Sequence, residues 1–316
     1  ALYGGDGNDW AWFSSADSVT VYMGTGTAST VYSATSYNDS LTDIEHIQGS
    51  GGNDFFYFSN QFTTATSVTG GAGTDTLYLT GDYSSGVTLT NLSTVESLSL
   101  TGGTSYNVTL GVSSDLTSIN GSSAGSVIFN GSAPGGGFSF HGSSGADSIT
   151  GGSANDTLVG ETSADTIDGG SGFDTLIGGM GNDHLTGGAG NDLFYYTGTP
   201  SVLGVDTITD FVSGTDKIFL LAGSFGFGLS LSETAGSKSY IESTTAMGGT
   251  GYDFNLTDAA TGAAVIIIGA NTGTAGVELW YTTTQDAAST SNSYQIATLS
   301  GINTSDVAVT DFQTTA

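Results

Sequence analysis

Six aspartates recur at intervals of nine residues between Gly142 and Tyr195. They are Asp147, Asp156, Asp165, Asp174, Asp183 and Asp192. Each is the sixth residue of a nonapeptide that begins with glycine, and each is followed two residues later by an apolar side chain. Carboxylate and carbonyl oxygens form the ligand set of Ca²⁺, whereas Mg²⁺ requires a tighter octahedron and gives up water reluctantly. The spacing therefore predicts a row of calcium sites.

The nonapeptide also determines which elements hold these aspartates. Its first six residues predict a turn, in which glycine supplies the positive φ that other residues resist and directs backbone carbonyls inward. In the three most regular repeats these glycines are Gly170, Gly172, Gly179, Gly181, Gly188 and Gly190. The last three residues predict a short strand whose middle side chain points to the interior. Two nonapeptides make one turn of a flattened coil, so residues 18 apart should stack.

Stacking places like charges close together. Asp147, Asp165 and Asp183 are expected along one edge of the coil, and Asp156, Asp174 and Asp192 along the other. Neighbouring parallel strands lie about 4.8 Å apart, where unit charges repel by roughly 3.5 kcal/mol at an effective dielectric constant of about 20. Two neighbouring pairs on each edge give at most about 14 kcal/mol, comparable to the stability of a whole domain. We therefore expect that the coil does not close without metal.

Further copies of the motif add candidate ligands outside this array. They are Asp9, Asp54 and Asp75 upstream, and Asp206 and Asp210 in the segment that follows the array. The sites are not expected to be equal, because Glu161, Ser163 and Ala154 stand where glycines would sit. These residues adopt a positive φ only at a cost, so calcium is expected to bind weakly or not at all in their turns.

Composition narrows the fold and the function classes. The 316-residue chain holds 51 glycines, 2 prolines and no cysteine, and its abundant Ser, Thr, Val and aromatic residues predict an all-β fold. Two basic residues against 30 acidic ones give a net charge of −28, which excludes binding to nucleic acid and adhesion to an anionic membrane. No apolar stretch is long enough for a membrane span.

The nonapeptides resemble the RTX (repeats-in-toxin) family, whose members fold as parallel β-rolls with calcium between stacked turns. The segment from Asp206 to Ile218 is similar to the one that closes the roll in serralysin-type proteins. The resemblance implies export by a type I system, directed by an uncleaved C-terminal signal. Such signals often end in an acidic residue followed by apolar ones, and Asp311-Phe312 matches this pattern loosely because Gln313 follows.

A second, weaker repeat lies upstream of the array. Residues 41–47, with the sequence LTDIEHI, align with residues 92–98, with the sequence LSTVESL. Both lie in Ser- and Thr-rich alternating segments that predict strands. This pattern resembles the assembly regions of RTX-type surface-layer proteins from Gram-negative bacteria.

A search for catalytic residues gives no candidate. His46, His141 and His184 lie far apart in sequence, and no His-Glu-x-x-His motif is present. A Gly-x-Ser-x-Gly spacing at Gly121–Gly125 lacks the strand, elbow and helix that its chemistry requires. The aromatic clusters around Trp10 and Phe55 are expected to pack in the core, with a contact surface between subunits as the alternative. We therefore expect a protein that is not an enzyme.

These features predict a parallel β-roll or β-solenoid in three regions. Residues 1–141 form a solenoid-like region, residues 142–216 the roll with its closing segment, and residues 217–316 a β-rich cap that carries the type I secretion signal. In the cap, residues 252–256, 264–268 and 277–281 are expected to form strands.

Two functions are compatible with this organisation. The favoured one is an extracellular, calcium-dependent structural protein that self-assembles into a surface layer or filament at the cell surface of a Gram-negative bacterium. The alternative is the C-terminal RTX secretion and folding module of a larger secreted enzyme or adhesin. The expected partners are Ca²⁺ and further copies of the chain, with a cell-surface polysaccharide as a candidate anchor and with neither nucleic acid nor an inserted membrane segment.

Overall fold

A computed structural model describes most of the chain and shows an almost entirely β-structured protein. The described residues are 2–3, 9–13, 18–23, 29–33, 38–42, 45–60, 62–111, 115–132, 135–221, 240–242, 265–270, 276–282, 293–302, 307 and 311–314. They fall into two compact units, Ala1–Leu158 and Val159–Ala316, here called the N-terminal and C-terminal units. The predicted region boundaries after residues 141 and 216 remain predictions.

The N-terminal unit consists of short strands separated by turns. They are β1 (Leu2–Tyr3), β2 (Trp10–Trp12), β3 (Val19–Met23), β4 (Ser29–Ser33), β5 (Asn38–Thr42), β6 (His46–Gln48), β7 (Phe55–Ser59), β8 (Ser67–Thr69), β9 (Thr76–Thr80), β10 (Tyr83–Leu89), β11 (Leu92–Ser93), β12 (Ser97–Thr101), β13 (Tyr106–Leu110), β14 (Ser118–Ser123), β15 (Val127–Asn130), β16 (Ser139–His141) and β17 (Ser148–Gly152). Strand β18 (Thr157–Thr162) contains the boundary between the units.

Three mostly parallel sheets build the N-terminal unit. Their strand orders are β1-β5-β4-β3-β7-β9-β12-β14-β16, β10-β13-β15-β17 and β11-β8-β6-β2. Thr76 pairs with Phe55 of the preceding coil and with Ser97 of the following one, a 21-residue step in both directions. The same step continues to Ser118 and Ser139, so this unit has a 21-residue coil. Among the described strands of this unit, antiparallel pairing occurs where β4 pairs with β3 and β5.

The core of the N-terminal unit is built from the inward side chains of its strands, and β7, β9 and β12 contribute two apolar side chains each. Phe56 and Phe58 of β7 are followed one coil later by Leu77 and Leu79 of β9, and then by the leucines of β12. From the second sheet, Tyr106, Phe129 and their neighbours are equally buried. Alternation of period two therefore places apolar side chains and some tyrosines inside, and most Ser and Thr side chains outside.

The C-terminal unit begins with the regular nonapeptides. Its elements are β19 (Thr166–Gly170), β20 (Thr175–Met180), β21 (His184–Thr186), β22 (Leu193–Tyr196), α1 (Pro200–Leu203), β23 (Asp206–Ile208), β24 (Lys217–Leu220), β25 (Tyr240–Glu242), β26 (Val265–Ala270), β27 (Gly276–Thr282), β28 (Ser293–Ser300) and β29 (Phe312–Thr314). Within this unit the sheets run β20-β22-β24-β29 and β19-β21-β23-β28-β27-β26-β25.

The register of the C-terminal unit confirms the predicted 18-residue coil. Thr166 pairs with His184 and Thr175 pairs with Leu193, which is the 18-residue step in both cases. The next coil contains α1 and is longer, because Leu193 pairs with Lys217 in a 24-residue step. Strands β26, β27 and β28 then pair antiparallel, as a β-rich cap on the parallel roll. The all-β fold, the parallel β-roll and the C-terminal cap are confirmed.

Two of the three strands predicted in the cap correspond to described elements. Strand β26 covers Val265–Ala270 and β27 covers Gly276–Thr282, whereas residues 252–256 lie outside the described residues. In the part of the chain that the structure describes, no helix has the length and apolar character needed to cross a membrane.

Candidate calcium sites

The turns of the regular nonapeptides depend on glycine at the second and fourth positions. Gly179 and Gly181 have φ values of +107° and +150°, and Gly188 and Gly190 have values of +94° and +156°. A Cβ atom on Gly181 would collide with the carbonyl oxygen of Ser163, one coil earlier. The other three glycines approach a carbonyl of the preceding coil in the same way, so the stacked turns bring backbone oxygens together. Gly170 and Gly172 also have positive φ, at +98° and +131°.

The glycine at the first position has a separate role. In each regular turn, the aspartate of the same nonapeptide folds back over it, so a Cβ on Gly187 would lie 2.6 Å from Oδ2 of Asp192. Gly178 has the same relation to Asp183, and Gly169 to Asp174. A side chain at this position would collide with the carboxylate, which explains why the first residue of these turns is glycine.

The carboxylates form a ladder with the backbone. Oδ1 of Asp183 accepts the N–H of Asp165 at 2.9 Å, and Oδ1 of Asp192 accepts that of Asp174 at 2.9 Å. One coil later, Asp206 accepts the N–H of Asp183 at 3.0 Å. Each backbone N–H places partial positive charge between two like charges, which reduces their repulsion but leaves the second oxygen of each carboxylate to be satisfied.

Several of these second oxygens are buried and unsatisfied. Oδ2 of Asp183, Asp192 and Asp75 is buried, and none of the three has a hydrogen-bond partner. A buried, ionised oxygen without a partner carries a large desolvation penalty. A cation would offset that penalty directly. The residues therefore fit Ca²⁺, with carboxylate and carbonyl oxygens as ligands.

Backbone oxygens must contribute most of any coordination shell. In the described part of the chain, no group of three or more His, Asp or Glu side chains converges on one point. Six to eight oxygens are typical for Ca²⁺, so one or two carboxylates have to be supplemented by the carbonyls of the stacked turns.

Burial raises the pKa of several ladder carboxylates. The pKa of Asp206 is raised to about 8 by burial and by the charge of Asp183. That of Asp75 is raised to about 6 by burial, with the charges of Asp54 and Glu96 adding to the effect. Burial also raises the pKa of Asp183 and of Asp192. The raised pKa values reflect the unfavourable burial of carboxylates without a metal. A bound cation would favour the ionised form and lower these pKa values.

The two irregular turns differ from each other. Glu161 and Ser163 do adopt the expected positive φ, at +81° and +89°. For Ala154 the expectation is wrong, since the described non-glycine residues with positive φ are Asn60, Thr94, Glu161 and Ser163. Instead, the turn of Ala154 closes on itself, because the N–H of Gly152 donates to Oδ2 of Asp156 at 2.8 Å. In this turn, Oδ2 of the aspartate accepts a hydrogen bond, whereas the same oxygen of Asp183 and Asp192 has none.

The remaining predicted ligands take several environments. Asp54 and Asp147 are buried and are held by a serine of their own turn. Asp9 has a buried Oδ2 without a hydrogen bond, and its N–H donates to Glu45, while Gly4–Asn8 of its motif lie outside the described residues. Asp210 caps the last regular turn by accepting the N–H groups of Gly187 and Gly188, at 2.9 and 2.7 Å.

Sequence reasoning missed several members of the ladder. Glu96 accepts the N–H of Asp75 at 2.8 Å, as Asp75 does for Asp54 at 2.7 Å. Glu45 has the same role for Asp9, and Asp216 for Asp192. A signal was present, since Glu45 and Glu96 occupy the same place in the aligned segments 41–47 and 92–98. Their spacing differs from nine, which conceals the relation.

The histidines and aromatic residues lie outside this ladder. His184 is exposed, whereas His46 is half-buried and its ring stacks on Trp10 with centroids 4.4 Å apart. The expectation of core packing is confirmed for Phe56 and Phe58 and is wrong for the tryptophans. Trp10 and Trp12 are 58% and 76% exposed, because Ala11 takes the inward position of β2.

Among comparisons with known proteins, the model of a calcium-binding repeat matches the nonapeptides. No curated protein sequence matches the chain. A solved structure similar to it is the solution structure of a subunit of the mannuronan C5-epimerase from Azotobacter vinelandii, with 22% identity, a TM-score of 0.35, and coverage of 54% of this chain and 79% of that one. The model of the RTX calcium-binding nonapeptide repeat matches in four copies, over residues 1–14, 139–162 and 159–194. The chain thus contains RTX calcium-binding nonapeptide repeats within residues 1–14 and 139–194.

Proposed function

We propose that the chain is an extracellular structural protein that folds on calcium and self-assembles into a surface layer or filament. The observation that carries the calcium part is the set of buried, unsatisfied Oδ2 atoms on Asp183 and Asp192, each beside a glycine turn. Extracellular calcium modules bind at roughly 10⁻⁴–10⁻³ M. At the low calcium level of a cytosol, a chain of charge −28 would stay unfolded and competent for type I export, and it would fold outside the cell.

Self-assembly is supported by the distribution of charge and aromatic surface. The outward residues of β3, β7, β9, β12, β14 and β16 include no carboxylate, although the chain has 30 acidic residues. On this face Tyr22, Tyr57 and Tyr78 stack in a row, with ring centroids 4.6 and 4.2 Å apart. Copies that repel one another elsewhere can approach through such a surface, and tyrosine and tryptophan are enriched at protein interfaces.

Electron microscopy tests the proposal directly. Chelator-treated protein is imaged by negative staining before and after the addition of millimolar calcium. Ordered sheets or filaments that appear only with calcium are the expected result. Separate compact particles in calcium would contradict self-assembly and favour the alternative, a secretion and folding module of a larger protein.

A Trp12→Ser variant sharpens this test. Trp12 is 76% exposed, so its loss should leave folding intact. If the tryptophans of β2 take part in the assembly contact, the variant folds in calcium and assembles more weakly. If the Trp12→Ser protein assembles like the wild type, β2 does not take part in the assembly contact.

A further inference from the structure

One turn of the N-terminal unit satisfies its aspartate without a metal. Ser143 is the second residue of the nonapeptide, and its N–H donates to Oδ2 of Asp147 at 2.6 Å. Its hydroxyl lies 2.8 Å from Oδ1 of the same carboxylate and donates to it. The N–H of Gly145 in turn donates to the serine oxygen at 3.1 Å. Both carboxylate oxygens therefore accept hydrogen bonds from a single residue.

A second turn, distant in sequence, repeats this arrangement. Ser50 donates its N–H to Oδ2 of Asp54 at 2.5 Å and its hydroxyl to Oδ1 at 2.7 Å. The N–H of Gly52 donates to the serine oxygen at 3.3 Å. The same three hydrogen bonds occur at the same positions of two separate nonapeptides, which indicates a recurring structural motif.

The regular turns do the opposite at the same position. In two turns with an open aspartate, the second residue is a glycine with positive φ whose N–H donates to a group outside its own turn. The N–H of Gly188 donates to Asp210 at 2.7 Å, and that of Gly71 donates to the hydroxyl of Thr94 at 2.9 Å. In these two turns Oδ2 of Asp192 and of Asp75 is left buried and unsatisfied.

We propose that Ser50 and Ser143 take the place of calcium in their turns, so that these turns close without metal and do not bind it. The serine supplies one N–H and one hydroxyl to a carboxylate that would otherwise need a cation, and hydrogen bonds to charged acceptors are the strong ones. The backbone conformation of the second residue thus decides the class of each turn, since Gly152, which has no positive φ, also donates its N–H to the aspartate of its own turn. A glycine with positive φ leaves a carboxylate oxygen free to bind metal. A serine satisfies both carboxylate oxygens with its own hydrogen bonds.

This inference rests on the calcium-binding part of the proposed function. It implies that Asp54 and Asp147, although they match the motif, are not calcium ligands in the folded chain. The N-terminal unit then has fewer metal-dependent turns than its aspartates suggest.

Calcium stoichiometry of the full chain tests the inference. Chelator-stripped wild-type protein and a Ser50→Gly/Ser143→Gly double variant are titrated with calcium, and bound ions are counted by native mass spectrometry and calorimetry. The double variant restores glycine in both turns and is expected to bind two more ions than the wild type. An equal count would overturn the inference. Ser144→Gly, at the exposed third position, is the matched control and should leave the count unchanged.

A second variant tests the hydroxyl itself and does not depend on gaining a site. Ser143→Ala keeps the N–H donor and removes the hydroxyl bond. In chelator, its melting temperature is expected to fall by roughly 5 °C, with the calcium count of the wild type. A lower calcium count would show that the hydroxyl serves a metal site and would overturn the inference. A wild-type chain that binds no calcium, beside a double variant that does, would contradict the proposed function and leave the inference standing.

Discussion

The two units of this chain both form a parallel coil, but they differ in coil length and in the number of apolar side chains that each strand buries. The N-terminal unit has a 21-residue coil, and strands such as β9 and β12 bury two leucines each. The C-terminal unit has a regular 18-residue coil, and β19 and β20 bury one apolar side chain each, Ile167 and Leu176. The other inward position of these strands is glycine, which has no side chain to bury.

Their carboxylates also differ. In the N-terminal unit, Asp54, Asp147 and Asp156 accept hydrogen bonds from their own turns, whereas Asp9 and Asp75 keep a buried oxygen without a hydrogen bond. In the C-terminal unit, Asp183 and Asp192 keep an unsatisfied buried oxygen, and Asp183 lies beside Asp206, whose pKa is raised. In the regular nonapeptides of the C-terminal unit, a thin apolar core occurs together with open carboxylates. The missing stability must then come from a ligand.

The largest expected effect comes from removing calcium. In chelator, backbone amides of the C-terminal roll, residues 165–194, should lose protection from hydrogen exchange, while those of β9, β12 and β14 stay protected. Mass spectrometry of exchanged peptides in calcium, in magnesium and in chelator measures this difference. Simultaneous loss of protection in both units would show that the comparison is wrong.

A glycine substitution in an open turn should have the next largest effect. Gly181→Ala places a Cβ against the carbonyl of Ser163 at a φ of +150°, and should cost about 3 kcal/mol or more in calcium. Gly214 is the matched control, because its φ is +81° and its surroundings are open. Gly214→Ala should cost about 1 kcal/mol. Equal losses of unfolding free energy would contradict the close stacking of the turns.

The pH dependence of stability should separate the units further. A carboxyl whose pKa is higher in the folded state binds a proton more readily there, so metal-free stability falls as pH rises from the unfolded pKa towards the folded one. For Asp75 the window ends near its pKa of about 6, and for Asp206 near its pKa of about 8. We expect a loss on the order of 2 kcal/mol in chelator, measured by thermal unfolding between about pH 4 and 8. With calcium the trend should reverse, because the metal displaces these protons.

The smallest effect concerns a metal-independent contact in the C-terminal unit. Nζ of Lys217 lies 3.5 Å from Oδ1 of Asp311, which is fully buried and also accepts bonds from Ser213 and Gly214. Lys217→Met should cost about 1–2 kcal/mol with or without calcium, because the lysine is partly exposed and the carboxylate keeps its other donors. Adding Asp311→Asn should recover part of that loss. A cost that appears only in chelator would instead connect this pair to the metal sites.

Much of the C-terminal roll could be predicted from sequence because its nonapeptide is strict. Asp at position six and an apolar residue at position eight gave the 18-residue register of Thr175 with Leu193 and the burial of Leu176 and Leu185. The 21-residue coil was missed, because its turns vary and its acidic position alternates between Asp75 and Glu96. The burial expected for Trp12 was wrong, because alternation within a three-residue strand does not show which residues point into the core.

The sequence by itself determined that aspartates stack on a glycine-rich coil and that this coil suits calcium, since the period fixes both the turn and the strand. Only the tertiary structure decided which aspartates are open. Asp147 and Asp192 occupy the same motif position, yet one is satisfied by Ser143 and the other keeps a buried oxygen free of hydrogen bonds. The difference lies in the backbone N–H of the second residue, which in Ser143 donates to Asp147 and in Gly188, where φ is positive, donates to Asp210.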